Sequence, residues 1–122
     1  LQRLIDPVLK APVVLVLCVD LKVVAATDQL LDRVGIVGGA SIYPFAWNVM
    51  MAARAEGFGT NITTLAVAQE PKLKELLGIP PHVAVAAVMP LGRPVKQLTK
   101  LKRKPVPEFA TRERWGGGPL EG

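Results

Sequence analysis

Along the chain, the longest departure from ordinary amphipathic patterning lies between Phe45 and Glu56, where Asn48, Arg54 and Glu56 are the only polar residues. A surface helix shows one apolar stripe and one polar face, so a helix this apolar is expected to be covered on most sides. Ser41 is placed to cap its start, Pro44 falls early enough to be tolerated, and Gly57 offers a left-handed stop. The β-branched residues of Thr60–Thr64 then predict a short strand. Val13–Val19 and Val83–Met89 are apolar without alternation, as in strands buried on both faces. A second helix is predicted over Glu70–Leu77, with Pro71 in its first turn, Leu73, Leu76 and Leu77 on one side, and Gly78 and Pro80 ending it. Leu1–Leu9 reads as a short helix ending before Pro12. Asp20–Ala40 carries mixed signals: a helical turn around Gln29–Val34, then a glycine loop at Gly35, Gly38 and Gly39. From Pro90 onward, prolines at Pro90, Pro94, Pro105 and Pro107 argue against a regular helix or an interior strand, so the tail is expected to run extended over a surface.

This inventory contains an imbalance. Three strands and two or three helices cannot enclose two strands covered on both faces and a helix covered all round. The missing cover has to come from another subunit or from further sequence.

Composition sharpens the picture in two places. Half of the 122 residues are apolar, enough for a core in a single domain, and disorder of the whole chain is excluded. The formal net charge of +5 is unevenly spread: Lys96, Lys100, Lys102, Arg103 and Lys104 crowd one late segment, with Arg112 and Arg114 beyond. Such a run is a solvated face or a phosphate-binding surface. It lacks the interleaved aromatics of a nucleic-acid groove, so no nucleic-acid partner is expected. The single cysteine, Cys18, precludes an intrachain disulfide and reads as a buried structural thiol in a reducing, cytoplasmic setting. The apolar run near Val13 is too short to span a bilayer, so no membrane partner is expected.

The side chains offer little chemistry of their own. His82 is the only histidine, and one histidine with one cysteine makes no zinc site. His82 reads as a surface residue at a strand entrance, around which no serine triad can be built. Glu70 and Glu75 read as solvated helix charges, and no P-loop is present. No catalytic side chain and no metal ligand is expected. An enzyme made of these residues would rely on a bound organic cofactor, the protein supplying placement and electrostatics.

The order SIYPFAWNVMMAARAEGFGTNITTL, then ELLGIP, VAVAAVMPLGRP, LKRKPVPEF and a final ERW resembles the C-terminal half of the FMN-dependent nitroreductase family, including its flavin-dependent deiodinase branch. The order and spacing across Ser41–Trp115 carry the likeness more than any single piece. The resemblance implies an α+β fold, with a mixed sheet flanked by helices, in a homodimer holding FMN at the subunit interface. The apolar helix would form much of that interface. Residues 1–122 would be one domain, its C-terminal half, and residues 92–122 an extended, basic, proline-rich arm reaching the other subunit. Residue by residue, Ile62, Thr63 and Thr64 match the stretch lining the flavin ring, and Arg103 matches the basic residue that contacts the FMN phosphate, with Lys102 or Lys104 adding charge. Trp47 and Asn48 match family positions whose role is interface packing. Nothing in Leu1–Ala40 matches the arginine- and serine-containing segment that opens a full family domain. The implied activity is ping-pong oxidoreduction, in which NAD(P)H reduces FMN and a small electron-poor acceptor, nitroaromatic or quinone-like, takes the electrons. The alternative is a non-catalytic or truncated binding or assembly subunit on the same scaffold.

Overall fold

The computed structural model describes residues 2–120, with side chains from Ile5 onward. Leu1, where the first predicted helix was to begin, lies outside them. The elements run α1 (Gln2–Lys10), β1 (Val13–Asp20), α2 (Tyr43–Ala55), β2 (Gly59–Thr60), α3 (Glu70–Leu77) and β3 (Val83–Gly92), with short 3-10 turns at Val37–Ser41, Leu65–Gln69 and Val106–Glu108. The fold is α+β. The strands form one sheet in the order β1-β3-β2, and both pairings are antiparallel.

One face of the sheet carries α2. Leu17 of β1, Ala87 and Met89 of β3 and Ala46 of α2 form the buried cluster, with Leu15, Val49, Met50 and Ile62 packed around it. Leu15 and Leu17 are two residues apart, as are Ala87 and Met89, so the strand period of two turns each pair toward α2. Between Leu17 and Cys18 the register slips, leaving Ala86 as an extra residue on β3. Its carbonyl accepts a hydrogen bond from the Tyr43 hydroxyl at 3.0 Å, which ties the first turn of α2 to the bulge.

Several expectations are corrected here. Helix α2 begins at Tyr43, not at a Ser41 cap: Ser41 closes the preceding 3-10 turn, and Ile42 occupies the cap position without a side-chain bond. Strand β1 is an edge strand rather than a central one, with Val13, Val14 and Cys18 exposed. Cys18 is therefore not a buried thiol. The Thr60–Thr64 strand shrinks to Gly59–Thr60 plus an isolated bridge from Thr63 to Val88. Gln29–Val34 forms successive tight turns instead of a helical one, because Asp28, within that stretch's entry, draws the loop onto its own carboxylate. Pro90 lies inside β3 although β3 is the central strand. The ladder explains how. Val88 exchanges both backbone bonds with Thr63, so alternation points residue 90 the same way. There Asn61 and Ile62 have left the sheet, and no ladder bond requires the missing N–H.

Predicted stops hold where backbone geometry is restrictive. Gly57 and Gly78 have φ of 80° and 67°, the left-handed region that glycine enters without steric cost. Helix α3 spans the predicted residues, and Glu70 at its start is not a solvated charge. Its carboxylate accepts the Val85 N–H at 2.6 Å, satisfying an amide of the central strand. Lys74, one turn on, sits 3.8 Å from the same carboxylate.

The imbalance read from the sequence is visible as surface. A compact monomer of 13.1 kDa exposes about 6,400 Å², whereas this chain exposes 9867 Å². Much of the excess is apolar. Within α2 only Ala46 is buried, while Tyr43, Phe45, Trp47 and Met51 lie open. Beyond Gly92 the chain has no long element: Val95, Leu98, Leu101 and Phe109 are exposed, and Trp115 stands fully exposed in a turn closed by the Thr111–Pro119 bridge.

Candidate functional site

The site is built where β2 gives way to the Leu65–Gln69 turn. Gly59 and Thr60 pair with Gly92 and Leu91 of β3; Asn61 and Ile62 bow away; Thr63 returns to exchange bonds with Val88 at 2.9 and 2.8 Å. Because a trans peptide sets each N–H opposite the preceding C=O, this double bond fixes its neighbours. The Thr63 carbonyl points at Val88, so the Thr64 N–H points away from the sheet. The Thr63 N–H points at Val88, so the Ile62 carbonyl also points away. One donor and one acceptor are thus presented side by side, off the edge of the ladder, and no hydrogen bond among the described residues takes either. The Thr63 hydroxyl is held locally, accepting from the Leu65 N–H at 3.4 Å. Ile62 anchors the segment by packing against the core cluster.

Thr60 adds a feature that the sequence reading did not single out. Its hydroxyl is buried and lacks a partner among the described residues. An unpaired buried hydroxyl is costly, typically about 1–3 kcal/mol. The only sequence signal was its place after Gly57 and Gly59, at the point where the ladder breaks. Thr60 also lines a cleft of about 620 Å³ between α1 and the ends of β2 and β3, with Lys10, Asn61 and Arg93 at its rim.

Arg103 is placed apart. It lies in the coil beyond β3, exposed, with its guanidinium donating to the adjacent Lys102 carbonyl at 3.3 Å. No hydrogen bond among the described residues joins it to Ile62, Thr63 or Thr64. The coil after β3 is nevertheless fastened to α2. Arg54 donates to the Gln97 side chain and, at 2.9 Å, to the Leu98 carbonyl. These contacts border a cleft of about 280 Å³ shared by Trp47, Met51, Phe58 and Leu101. Trp47 lies 58 % exposed on the open side of α2.

Two other polar groupings are structural. Asp28 is buried and accepts from the Ile36 N–H at 2.7 Å, the Val37 N–H at 3.3 Å and the Arg33 guanidinium at 2.8 Å. The Ile36 amide is the main cause holding its carboxyl below the usual aspartate range, helped by Arg33 and Val37 and opposed by desolvation. His82 approaches the Asp20 carboxylate at 4.0 Å. Among the described residues no group of histidine, cysteine and carboxylate side chains is arranged to hold a metal ion. No helix there is long and apolar enough to cross a membrane.

Known proteins share this architecture. NfrA2 of B. megaterium superposes with a TM-score of 0.62 at 24 % identity, over 93 % of this chain and 52 % of its own. Nitroreductase A of Vibrio parahaemolyticus RIMD 2210633 superposes with a TM-score of 0.65 at 20 % identity, over 93 % of this chain and 54 % of its own. At these identities the likeness concerns the fold, and the chain spans about half the length of either relative. No curated protein sequence matches it. The model of the Nitroreductase family, however, matches residues 6–93. That span covers most of the chain and runs from α1 through the outward-facing Ile62–Thr64 segment to the end of β3, and it makes the chain a member of the nitroreductase family.

Proposed function

We propose that this chain forms part of an FMN-dependent oxidoreductase that uses NAD(P)H to reduce a small electron-poor acceptor, nitroaromatic or quinone-like, in ping-pong alternation. The observation that carries the reading is the pair formed by the Thr64 N–H and the Ile62 carbonyl, unpaired and turned off the sheet edge inside the stretch matched by the family. A bound flavin would supply the electron and hydride chemistry that these side chains lack.

The residues fit such a group on one side. A planar ring with an acceptor atom and an N–H on one edge would meet the Thr64 donor and the Ile62 acceptor together. Thr63, locked to Val88, would keep both groups in place without reorganisation, and the unpaired Thr60 hydroxyl lies two residues upstream. The phosphate side is not assembled by contacts within this chain. Arg103 would supply the guanidinium fork for it, with Lys102 and Lys104 adding charge. The exposed face of α2 and the surplus of surface support a homodimer in which a second copy covers Phe45, Trp47 and Met51, with residues 92–122 as an arm lying on that copy. The separation of Arg103 from the ring-edge segment favours one second reading, an assembly subunit that keeps the scaffold without a working flavin site.

The two readings separate in an FMN titration followed by flavin fluorescence. Under the flavin reading, Arg103→Ala weakens FMN binding roughly 10- to 100-fold, the loss of one charge-assisted contact of about 1.5–3 kcal/mol, and leaves the dimer intact. Equal affinity for the parent chain and Arg103→Ala would remove the residue from the site. No binding by either would leave the assembly reading.

A further inference from the structure

Glu70 lies outside the ring-edge segment, yet it closes a circuit of hydrogen bonds that begins there. The Val67 N–H donates to the Thr64 carbonyl at 3.0 Å, and the Glu70 N–H donates to the Val67 carbonyl. The Glu70 carboxylate then accepts from the Val85 N–H at 2.6 Å. Val85 precedes Val88 by three residues on β3, and Val88 exchanges both of its backbone bonds with Thr63. Residues 63–70 are thus held to the central strand at both ends, once through backbone and once through a side chain. The side-chain hold is itself braced: Lys74 sits 3.8 Å from the Glu70 carboxylate and donates to the Pro81 carbonyl at 3.3 Å, just before β3. Every contact in the circuit lies between residues 63 and 88, inside the span that the family model matches.

The second hold matters because the first is isolated. Thr63–Val88 is a lone bridge: Asn61 and Ile62 leave the ladder before it, and the Leu65–Gln69 turn follows close behind. Ordering residues 62–69 costs backbone entropy at every position, which the bonds of one bridge do not offset. Without Glu70 the turn could pivot about Thr63, and the Thr64 N–H and Ile62 carbonyl would lose their common direction. A glutamate suits the task. An ionised carboxylate makes a shorter and stronger bond to an N–H than a neutral acceptor does, and in the first turn of α3 its charge meets the positive end of the helix dipole. We infer that Glu70 is a positioning residue for the ring-edge donor and acceptor, acting through Val85 and the Leu65–Gln69 turn without touching the flavin. Its consequence for FMN rests on the flavin reading above, whereas its hold on the turn does not.

Amide NMR relaxation on the full chain without cofactor tests the hold on the turn. In the parent, the Thr64 and Val67 amides should be as rigid as those of α2, with order parameters of about 0.85. Glu70→Ala should lower them below about 0.6 and leave α2 unchanged. Glu70→Gln, whose side-chain carbonyl still accepts the Val85 N–H, should keep them rigid. A role in overall stability alone would leave the order parameters of the folded state unmoved. Should Glu70→Ala fail to fold, Glu70→Met, which keeps the stem and removes the acceptor, takes its place. An FMN titration tests the consequence. If the binding arrangement falls to about a tenth of the population, apparent affinity falls about tenfold in Glu70→Ala and stays near the parent value in Glu70→Gln. The inference is overturned if Thr64 and Val67 stay rigid in a folded variant lacking the acceptor, if Glu70→Gln loosens them as much as Glu70→Ala, or if FMN binds the parent and Glu70→Ala equally. A parent chain that binds no FMN refutes the flavin reading alone, and the order parameters then decide the role of Glu70.

Discussion

Trp47→Ala gives a quantitative handle on the open side of α2. Burying a tryptophan covers about 150–250 Å², and Trp47 is 58 % exposed, so a partner would cover roughly 100–140 Å² more. At about 25 cal/mol per Å² that is about 3 kcal/mol for each copy as an upper figure. A two-fold interface loses two such side chains. Dimer dissociation should therefore rise at least about a hundredfold, at 1.4 kcal/mol for each factor of ten. Most of the Trp47 ring lies outside the chain's own core, so the dilute subunit should melt close to the parent. Met89→Ala supplies the contrast. Met89 is 0 % exposed at the centre of the cluster, and truncating a core methionine costs about 2–5 kcal/mol. For a domain of this length that lowers Tm by around ten degrees. Sedimentation equilibrium across a concentration series, with thermal melts on the same samples, reads both effects. A Trp47→Ala chain that loses as much Tm as Met89→Ala, with association unchanged, would refute the assignment of α2 to an interface.

Three further outcomes follow from single contacts. Asp28→Asn should loosen the Asp28–Val37 loop. Because the folded carboxyl titrates below its unfolded value of about 3.9, its stabilisation is present above that pH and is lost as pH falls through the lower folded value. Amide exchange at Ile36 should accelerate in the parent chain only under that acid, and should be fast and nearly pH-independent, after correction for intrinsic rates, in Asp28→Asn. Glu70→Ala strands the Val85 N–H inside the sheet and should cost about 1–3 kcal/mol in urea unfolding. Gly78→Ala meets no atom but must adopt a left-handed backbone, so a loss of about 1 kcal/mol is expected from the dihedral alone.

What was legible in the sequence was mostly local. The bounds of α3 follow from Pro71, its leucine spacing and Gly78, and the stop of α2 follows from Gly57, because such signals act within a turn of the backbone. Legible too was the shortage of cover, since it depends only on counting apolar faces. Strand rank was not. Val13–Val19 reads as central by composition yet lies at the edge, because apolar content reports what a strand is suited to contact and not which neighbours this chain supplies. Pro90 misled for a related reason. A proline excludes a strand only where the partner needs its N–H, and the bowing of Asn61 and Ile62 beside it is a tertiary event. Glu70 looked like a surface charge because its amide partner lies 15 residues away. For the candidate site, the Ile62–Thr64 segment came from order and spacing, while the direction of its free donor and acceptor required the Thr63–Val88 pairing. The unpaired Thr60 hydroxyl left no trace in the pattern of residues.

The central claim is that these residues take part in holding a flavin. Its most direct test is the visible absorption spectrum of the purified protein after equilibration with FMN and removal of the free cofactor. The account predicts a protein-associated flavin spectrum, released as FMN on denaturation and diminished in Arg103→Ala. A protein that remains colourless after the same treatment would contradict it.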